Sequence, residues 1–310
     1  LTWTPPPFGR GDVAFVIEDD FEDYADGDCP EGWSCNGVGG LAPWRPRVTQ
    51  NDFGHEGRLR MAEDTVTDIG STAIYGTLID LTEQSMTVEF DAYFSQSDPL
   101  LIPADGLTFL LLDASDPAIT AQSVGATGGG LGYSGLNGLA VELDIYQGVG
   151  DPSGYNNVDV AYGHIGVVRD GDIVNHVQTQ VELDPGLVPP NWPNFVDQAG
   201  TGLPLHVEVD YNNGNIKVWL EADDADGLGT PFPRTLVIDT SVVWPVDPGI
   251  PDDSPVLGEV YMGFSAGTGG SFADHEVDNL VVTVYEIGEG GGVEFGRGDS
   301  DANGGPPNIT

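Results

Sequence analysis

Four polar residues between positions 142 and 164 have the types and the spacing to do chemistry. In GLAVELDIY (residues 138–146), Glu142 and Asp144 are two apart, so in a strand both carboxylates leave the same face. Asp151 follows in a loop, and His164 opens the next apolar run. Such a group can hold a divalent cation. The same two carboxylates can also act as acid and base on a sugar.

The apolar pattern around these residues predicts strands. In TVEFDAYF, Val88, Phe90, Ala92 and Phe94 alternate with other residues and share one face. Two alternating arms flank the turn sequence Asn-Asn-Gly-Asn at 212–215, which predicts a hairpin. No segment shows a sustained helical period, and we therefore predict an all-β chain forming a two-sheet sandwich over residues 13–287.

The charge of the chain restricts its partners. Among 310 residues there are 50 acids and 9 bases, a formal net charge of −41, while 39% hydrophobic residues suffice for a full core. This field repels phosphate backbones and anionic lipid, so we expect neither nucleic-acid binding nor membrane insertion. It favours cations, with solubility in a salty or calcium-rich medium as the simpler alternative for most of the acids.

The two cysteines lie close together in CPEGWSC. The spacing of Cys29 and Cys35 allows a small disulfide loop, and two free buried thiols are the alternative. A disulfide suits an oxidising compartment, so we expect an extracellular or cell-surface setting. Because Leu1 is not an initiator residue, we also expect a mature product or an excised fragment.

Both ends of the chain differ from the predicted domain. Residues 1–12 form an N-terminal tail, and residues 288–310 form a Gly-rich linker without apolar alternation. Asp299, Asp301 and Asn303 match the opening of a calcium loop, and this segment resembles the start of a dockerin-type repeat. We therefore predict neighbouring modules in a larger extracellular protein or assembly.

Four separated blocks carry a family resemblance. They are ADGLTFLLLD (104–113), GGGLGYSGLNGLAVELDIY (128–146), DPS with HIGV (151–153 and 164–167), and GFSAGTGGSFADHEVDNL (263–280). In this order they resemble the signature blocks of L-type lectins, the concanavalin-A-like legume and animal cargo-receptor lectins, here in a secreted bacterial-type setting. The resemblance implies a two-sheet antiparallel jelly-roll sandwich whose sugar site is built on a metal site.

The resemblance also implies a set of metal ligands. These are Glu142, Asp144, Tyr146 through its carbonyl, Asp151 and His164. In the legume lectins the glutamate and the histidine serve a transition metal, whereas two aspartates share calcium. The implied cofactors are therefore Ca²⁺ and a second divalent metal such as Mn²⁺.

One departure from the family pattern falls in the loop. Gly148 stands where the family has an asparagine that binds both calcium and sugar, and an insertion follows at 154–163. Asn157 is the residue expected to replace that asparagine, with Asn156 and Asp159 as the alternatives.

The implied sugar site draws on several segments. Its residues are Asp105, Gly132, Tyr146, Asn157, Gly269, Gly270, Ser271 and Asp274. Asp105 is the sugar-binding aspartate, with a cis peptide expected at Ala104–Asp105, and Gly132 is the glycine whose N–H meets a sugar hydroxyl. A carboxylate is suited to this role because it accepts hydrogen bonds from two vicinal hydroxyls. The implied partners are glycans or polysaccharide.

Two other functions remain open. ELDIYQ resembles the catalytic strand of laminarinase-type glycosidases, but Gln147 stands where their general acid would be, and an amide cannot protonate a leaving group at a useful rate. We therefore expect no enzyme activity. The second alternative is a structural or adhesive module that keeps the lectin fold with a degenerate sugar site.

Overall fold

The computed structural model describes residues 10–40, 44–50, 57–82, 84–95, 103–146, 164–173, 177–181, 204–223, 231–242 and 257–287. Regular structure in these ranges consists of sixteen strands and one short 3-10 turn at Gly128–Gly130. In this part of the chain no helix has the length and apolar character needed to cross a membrane.

The strands, in chain order, are β1 (Arg10–Asp19), β2 (Trp33–Gly39), β3 (Arg47–Thr49), β4 (Arg58–Ala62), β5 (Ile69–Tyr75), β6 (Ile79–Asp80), β7 (Gln84–Ser95), β8 (Gly106–Asp113), β9 (Gly138–Asp144), β10 (His164–Arg169), β11 (Gln178–Val181), β12 (Leu205–Asn212), β13 (Asn215–Ala222), β14 (Phe232–Ser241), β15 (Glu259–Thr268) and β16 (Asp274–Ile287).

The strands form two antiparallel sheets. Sheet I has the order β14-β13-β12-β7-β16-β4-β3, with β1 also paired to β16. Sheet II has the order β11-β10-β9-β8-β15-β5-β2, with β6 also paired to β15. The chain changes sheet repeatedly, as between β4 and β5, β7 and β8, and β15 and β16. The prediction of an all-β, two-sheet jelly-roll sandwich is confirmed.

The core lies between the two sheets and is centred on aromatic rings. Phe90 of sheet I meets Phe264 and Phe109 of sheet II, with ring centroids 5.0 and 6.3 Å apart. Phe109 and Phe264 are themselves 5.9 Å apart, and Trp33 stacks on Phe264 at 6.3 Å. These rings are buried because each occupies the inward position of an alternating strand.

Local sequence signals explain two elements directly. In β7, the predicted inward set Val88, Phe90, Ala92 and Phe94 is buried in this core. The predicted hairpin joins β12 to β13 through Asn213 and Gly214, which have φ values of 48° and 78°. Positive φ at both turn positions is what an Asn-Gly pair tolerates, and it matches the twist of the two strands.

Sheet II is covered on its outer face as well. The segment 114–137, between β8 and β9, packs a second apolar cluster against it, in which Leu131 and Tyr133 meet Leu110, Ala140 and Val168. The outward residues of β9 lie beneath this cover.

The edge of the sandwich near β2 carries the disulfide. Cys29 and Cys35 are bonded, with Cα atoms 5.9 Å apart, which confirms the predicted pairing. The bond ties the segment before β2 to β2 itself.

The predicted tails lie largely outside the described residues. β1 begins at Arg10 and β16 ends at Ile287. The boundaries 13–287, the linker 288–310 and the calcium-loop resemblance at Asp299, Asp301 and Asn303 stay predictions.

Replacing Phe264 tests the aromatic core. We expect Phe264→Ala to lower the free energy of unfolding by about 3–5 kcal/mol, because it leaves a cavity among three rings. Phe264→Leu, which retains most of the apolar volume, should cost clearly less. Urea unfolding with the disulfide intact measures both values, and equal small losses for the two variants would contradict this account of the core.

Candidate functional site

Glu142 lies at the centre of a buried hydrogen-bonding network on the outer face of sheet II. Glu142 is 2% exposed, whereas Leu143, its neighbour in β9, faces the core. The hydroxyl of Tyr133 donates to Oε2 of Glu142 at 2.5 Å, and Nε2 of His164 lies 2.9 Å from Oε1. Both carboxylate oxygens therefore have partners, as a buried carboxylate requires.

Asp144 shares this face, as the two-residue spacing predicts. It lies directly opposite His164 on β10 and opposite Gly106 on β8. Its Oδ1 accepts the backbone N–H of Tyr146 at 2.7 Å. The register therefore brings Glu142, Asp144 and His164 together, although 20 or more residues of chain separate the histidine from the two acids.

The remaining predicted metal ligands lie in the loop that follows β9. Asp151 and Asn157, together with the alternatives Asn156 and Asp159, lie outside the described residues. Within the ranges that the structure describes, no group of three or more His, Cys, Asp or Glu side chains is arranged to hold a metal ion. Glu142, Asp144 and His164 are thus a partial donor set, and the ligand roles of the loop residues stay predictions.

Asp105 is fixed by backbone bonds at the start of β8. Its N–H donates to the carbonyl of Gly267 at 3.0 Å, and its carbonyl accepts the N–H of Ile145 at 2.9 Å. The Ala104–Asp105 peptide is cis, as the resemblance implies. Burial raises the pKa of the Asp105 carboxyl to about 7, and the nearby charge of Asp68 adds to this rise, while the N–H of Gly269 opposes it.

A cavity of about 400 Å³ opens beside Asp105. The residues that line it include Asp68, Asp105, Tyr146 and Ile173, the segment Ala126–Gly130, Ser134, and the segment Gly269–Ser271. Oδ2 of Asp105 is buried and has no hydrogen-bond partner among the described residues. The cavity therefore combines an acceptor without a partner, an aromatic ring and glycine backbone.

Predicted sugar-site residues on three segments meet at this cavity. Asp105 and Tyr146 line it, as do Gly269, Gly270 and Ser271, and their roles in sugar binding stay predictions. Because Tyr146 donates its N–H to Asp144, the cavity wall is joined directly to the acidic strand.

The structure does not support the sugar-binding assignment of Gly132. Its N–H already donates to the carbonyl of Ala126 at 2.9 Å. A Cβ at this position would lie 2.5 Å from the carbonyl oxygen of Ser71 and 2.7 Å from that of Ala266, so Gly132 is packed against β5 and β15. Within GGGLG, the glycines that line the cavity are those at 128–130, which precede Gly132.

Asp274 is likewise placed away from the cavity, at the start of β16 in sheet I. Its carboxylate accepts the N–H of Asp64 at 2.8 Å and a bond from Ser95 at 3.4 Å, and it lies 3.9 Å from Arg60. Burial raises its pKa to about 7. We therefore reassign Asp274 to a structural network that ties β16 to β4 and β7.

Two contributors to the site carry no signal in the sequence pattern. Tyr133, which holds Glu142, lies in a loop without periodicity, and Asp68, which lines the cavity, precedes β5 at a positive φ of 57°. The N–H of Asp68 donates to the carbonyl of Gly269 at 3.1 Å, which joins these two walls of the cavity.

A profile of the legume lectin domain matches residues 48–281, which is most of the chain. This protein belongs to the legume lectin family. A comparison with curated protein sequences found no match.

Solved structures of similar fold are plant lectins. Lectin II from Ulex europaeus is 20% identical, with a TM-score of 0.58 over 88% of this chain and 99% of that chain. The lectin UEA-II complexed with galactose is 20% identical, with a TM-score of 0.57 over 88% of this chain and 99% of that chain. The basic winged bean lectin with Tn-antigen is 19% identical, with a TM-score of 0.59 over 88% of this chain and 100% of that chain. At these identities the likeness shows a shared fold.

Removing the Tyr133 hydroxyl tests the network around Glu142. We expect Tyr133→Phe to lower the free energy of unfolding by about 1–3 kcal/mol, because it removes a hydrogen-bond donor from a buried carboxylate. Tyr75→Phe is the control, since no hydrogen bond of the Tyr75 hydroxyl is found in the described residues. Chemical unfolding of both variants measures the difference, and equal stabilities would show that the Tyr133 bond does not support Glu142.

Proposed function

We propose that this protein is a lectin that binds a saccharide, without catalysis, in the cavity beside Asp105. One observation carries the proposal: the buried Oδ2 of Asp105 faces this cavity without a hydrogen-bond partner among the described residues. Two sugar hydroxyls can donate to this carboxylate, and the charge-assisted bonds would compensate for its burial.

The other walls of the cavity suit the rest of a sugar ring. Tyr146 offers an aromatic surface, Ser271 offers a hydroxyl, and the glycine segments 128–130 and 269–270 leave room for a ring to approach the backbone. Galactose and Tn-antigen appear in the names of two structures of the same fold, so these are the first ligands to test.

We further propose that divalent cations support this cavity. Glu142 and His164, as part of a larger donor set, would contribute ligands to a transition metal, since imidazole and carboxylate together suit such an ion. Asp144, the carbonyl of Tyr146, Asp151 and Asn157 would hold calcium, which prefers oxygen ligands. When bound, the cations would supply fixed positive charge that orders the loop after β9. The buried pairing of Glu142 with His164 supports this assignment.

An extracellular or cell-surface setting completes the proposal. The Cys29–Cys35 disulfide supports it, because such bonds persist in oxidising compartments. The net charge of −41 supports a glycan partner over nucleic acid. Weak binding at a single shallow cavity would gain strength from neighbouring copies or modules.

Filling the cavity by one methyl group tests the sugar site. An ideal Cβ on Gly269 would lie 3.3 Å from Oδ2 of Asp105 and 3.8 Å from Cα of Gly128, in the space that a sugar hydroxyl would need. We expect Gly269→Ala to weaken binding at least about tenfold. Gly258→Ala is the matched control, because Gly258 does not line the cavity and its Cβ would meet only the Thr82 side chain, at 3.9 Å. A glycan array, followed by calorimetry with the best ligand, measures the effect.

Asp105→Asn provides the second variant of this test. It keeps the shape of the side chain but removes the charge, so we expect a loss of about tenfold to a hundredfold. Folded wild-type protein that binds no glycan, with or without added calcium and manganese, would refute the lectin proposal in favour of a structural module.

Metal content tests the proposed cation site independently of sugar binding. We expect wild-type protein, loaded with Mn²⁺ and Ca²⁺ and then desalted, to retain metal, and Glu142→Gln to retain markedly less, because a neutral amide is a poorer ligand. Glu208→Gln is the control, since Glu208 is also buried but pairs with Arg234 in sheet I at 2.6 Å. Elemental analysis reads the result, and equal metal content in all three proteins would contradict the assignment.

A further inference from the structure

A second, larger cavity lies at the edge of the sandwich. Its volume is about 650 Å³, within the roughly 300–1,000 Å³ typical of ligand pockets. It is formed where β2, the edge strand of sheet II, approaches β3, the edge strand of sheet I, and the loop between β4 and β5 closes one side. This cavity shares no lining residue with the one beside Asp105.

The walls of the edge cavity are held in place by covalent and hydrogen bonds. The Cys29–Cys35 disulfide forms part of the lining. The segment before it is paired with β3, since the N–H of Gly27 donates to the carbonyl of Val48 at 2.8 Å. On the opposite wall, Nε1 of the buried Trp44 donates to the carbonyl of Met61 at 2.9 Å. The cavity is therefore formed before any ligand enters it.

Positive charge distinguishes this cavity from the rest of the molecule. Arg45 and Arg47 both line it, although the whole chain has only 9 bases against 50 acids. Arg45 is exposed and has no acidic side chain within ion-pair distance among the described residues. Arg47 stacks over the Trp44 ring, 4.3 Å from its centroid, and pairs with Glu63 at 3.2 Å.

The Arg47–Glu63 pair leaves the guanidinium available to a ligand. The two side chains are 40% and 27% exposed, and an exposed pair of this kind contributes little to stability. A carboxylate that enters the cavity can therefore bond the guanidinium in the bidentate manner that arginine favours. Stacking on Trp44 fixes the plane of the guanidinium in advance.

The remaining lining suits a ring that carries hydroxyls. Thr65, Thr67 and the Glu63 carboxylate offer hydrogen-bonding groups, whereas Trp44 and Val66 offer apolar surface. A ligand that fits this cavity would carry a carboxylate for the arginines. The carboxylate would be attached to a ring whose hydroxyls meet the polar side chains and whose C–H groups meet Trp44 and Val66.

We propose that the edge cavity is a second saccharide site, selective for sugars that carry a carboxylate, namely uronic acid residues, which Arg45 and Arg47 recognise. The site is independent of the one beside Asp105, although the two lie on either side of a shared loop: Thr67 lines the edge cavity, and the next residue, Asp68, lines the other.

A matched pair of ligands tests the proposal. Methyl β-D-glucuronide and methyl β-D-glucoside differ at one carbon, a carboxylate against a hydroxymethyl group. We expect the folded wild-type chain to bind the glucuronide at least about tenfold more tightly in calorimetry, and high salt to reduce this preference, because the distinguishing bonds are ionic. Equal affinities for the two ligands, or no binding of either, would overturn the proposal.

Charge-matched variants locate the site. We expect Arg45→Gln combined with Arg47→Gln to abolish the preference for the glucuronide. Arg169→Gln combined with Lys217→Gln removes the same charge from β10 and β13 and should retain the preference. Loss of the preference in both double variants, or in neither, would refute recognition by these arginines.

Two further measurements distinguish uronic acid binding at the edge cavity from binding beside Asp105 and from binding of any simple anion. Asp105→Asn should keep the preference for the glucuronide, and its loss in that variant would place the binding at the other cavity. Sodium acetate should displace the glucuronide only at much higher concentration than the glucuronide itself requires. Equal potency of acetate would show a simple anion site and would overturn the saccharide proposal.

Discussion

Every second residue of β9 is drawn into the core between the sheets, and this alternation determines where its acids must lie. Leu139, Val141 and Leu143 pack inward, so Glu142 and Asp144 are carried to the outer face of sheet II. A one-residue shift in the register of β9 would put two carboxylates into the aromatic core. The free-energy cost of burying them there would far exceed what any single contact contributes to stability. The hydrophobic core therefore enforces the register that brings His164 across from Asp144.

Buried acids on an outer face need cover and partners, and the long segment between β8 and β9 supplies both. Its apolar residues close the outer cluster, and Tyr133 at its end donates to Glu142. The same segment then passes the cavity as Ala126–Gly130. One stretch of chain thus covers the acidic pair and forms a wall of the cavity, which explains why the cavity lies next to that pair.

Much of this arrangement could be predicted from sequence, because it depends on local rules. The period of two places Glu142 and Asp144 together, Asn213–Gly214 specifies a hairpin, and the short spacing of Cys29 and Cys35 permits their bond. The glycines in GGGLG are alike in type, so only the course of the backbone shows that 128–130 line the cavity and Gly132 does not.

The position of Asp274 also depends on tertiary structure. Asp274 follows Gly269–Ser271 closely in sequence, but it begins β16 in sheet I and lies 3.9 Å from Arg60. By contrast, five of the residues that line the cavity beside Asp105 are glycines, whose backbone N–H and C=O groups persist in every substitution except one by proline. At those positions a mutation can only add atoms. Natural substitutions at these glycines would therefore narrow the cavity. They would change which molecules are too large to enter it, while the Asp105 carboxylate stays the same.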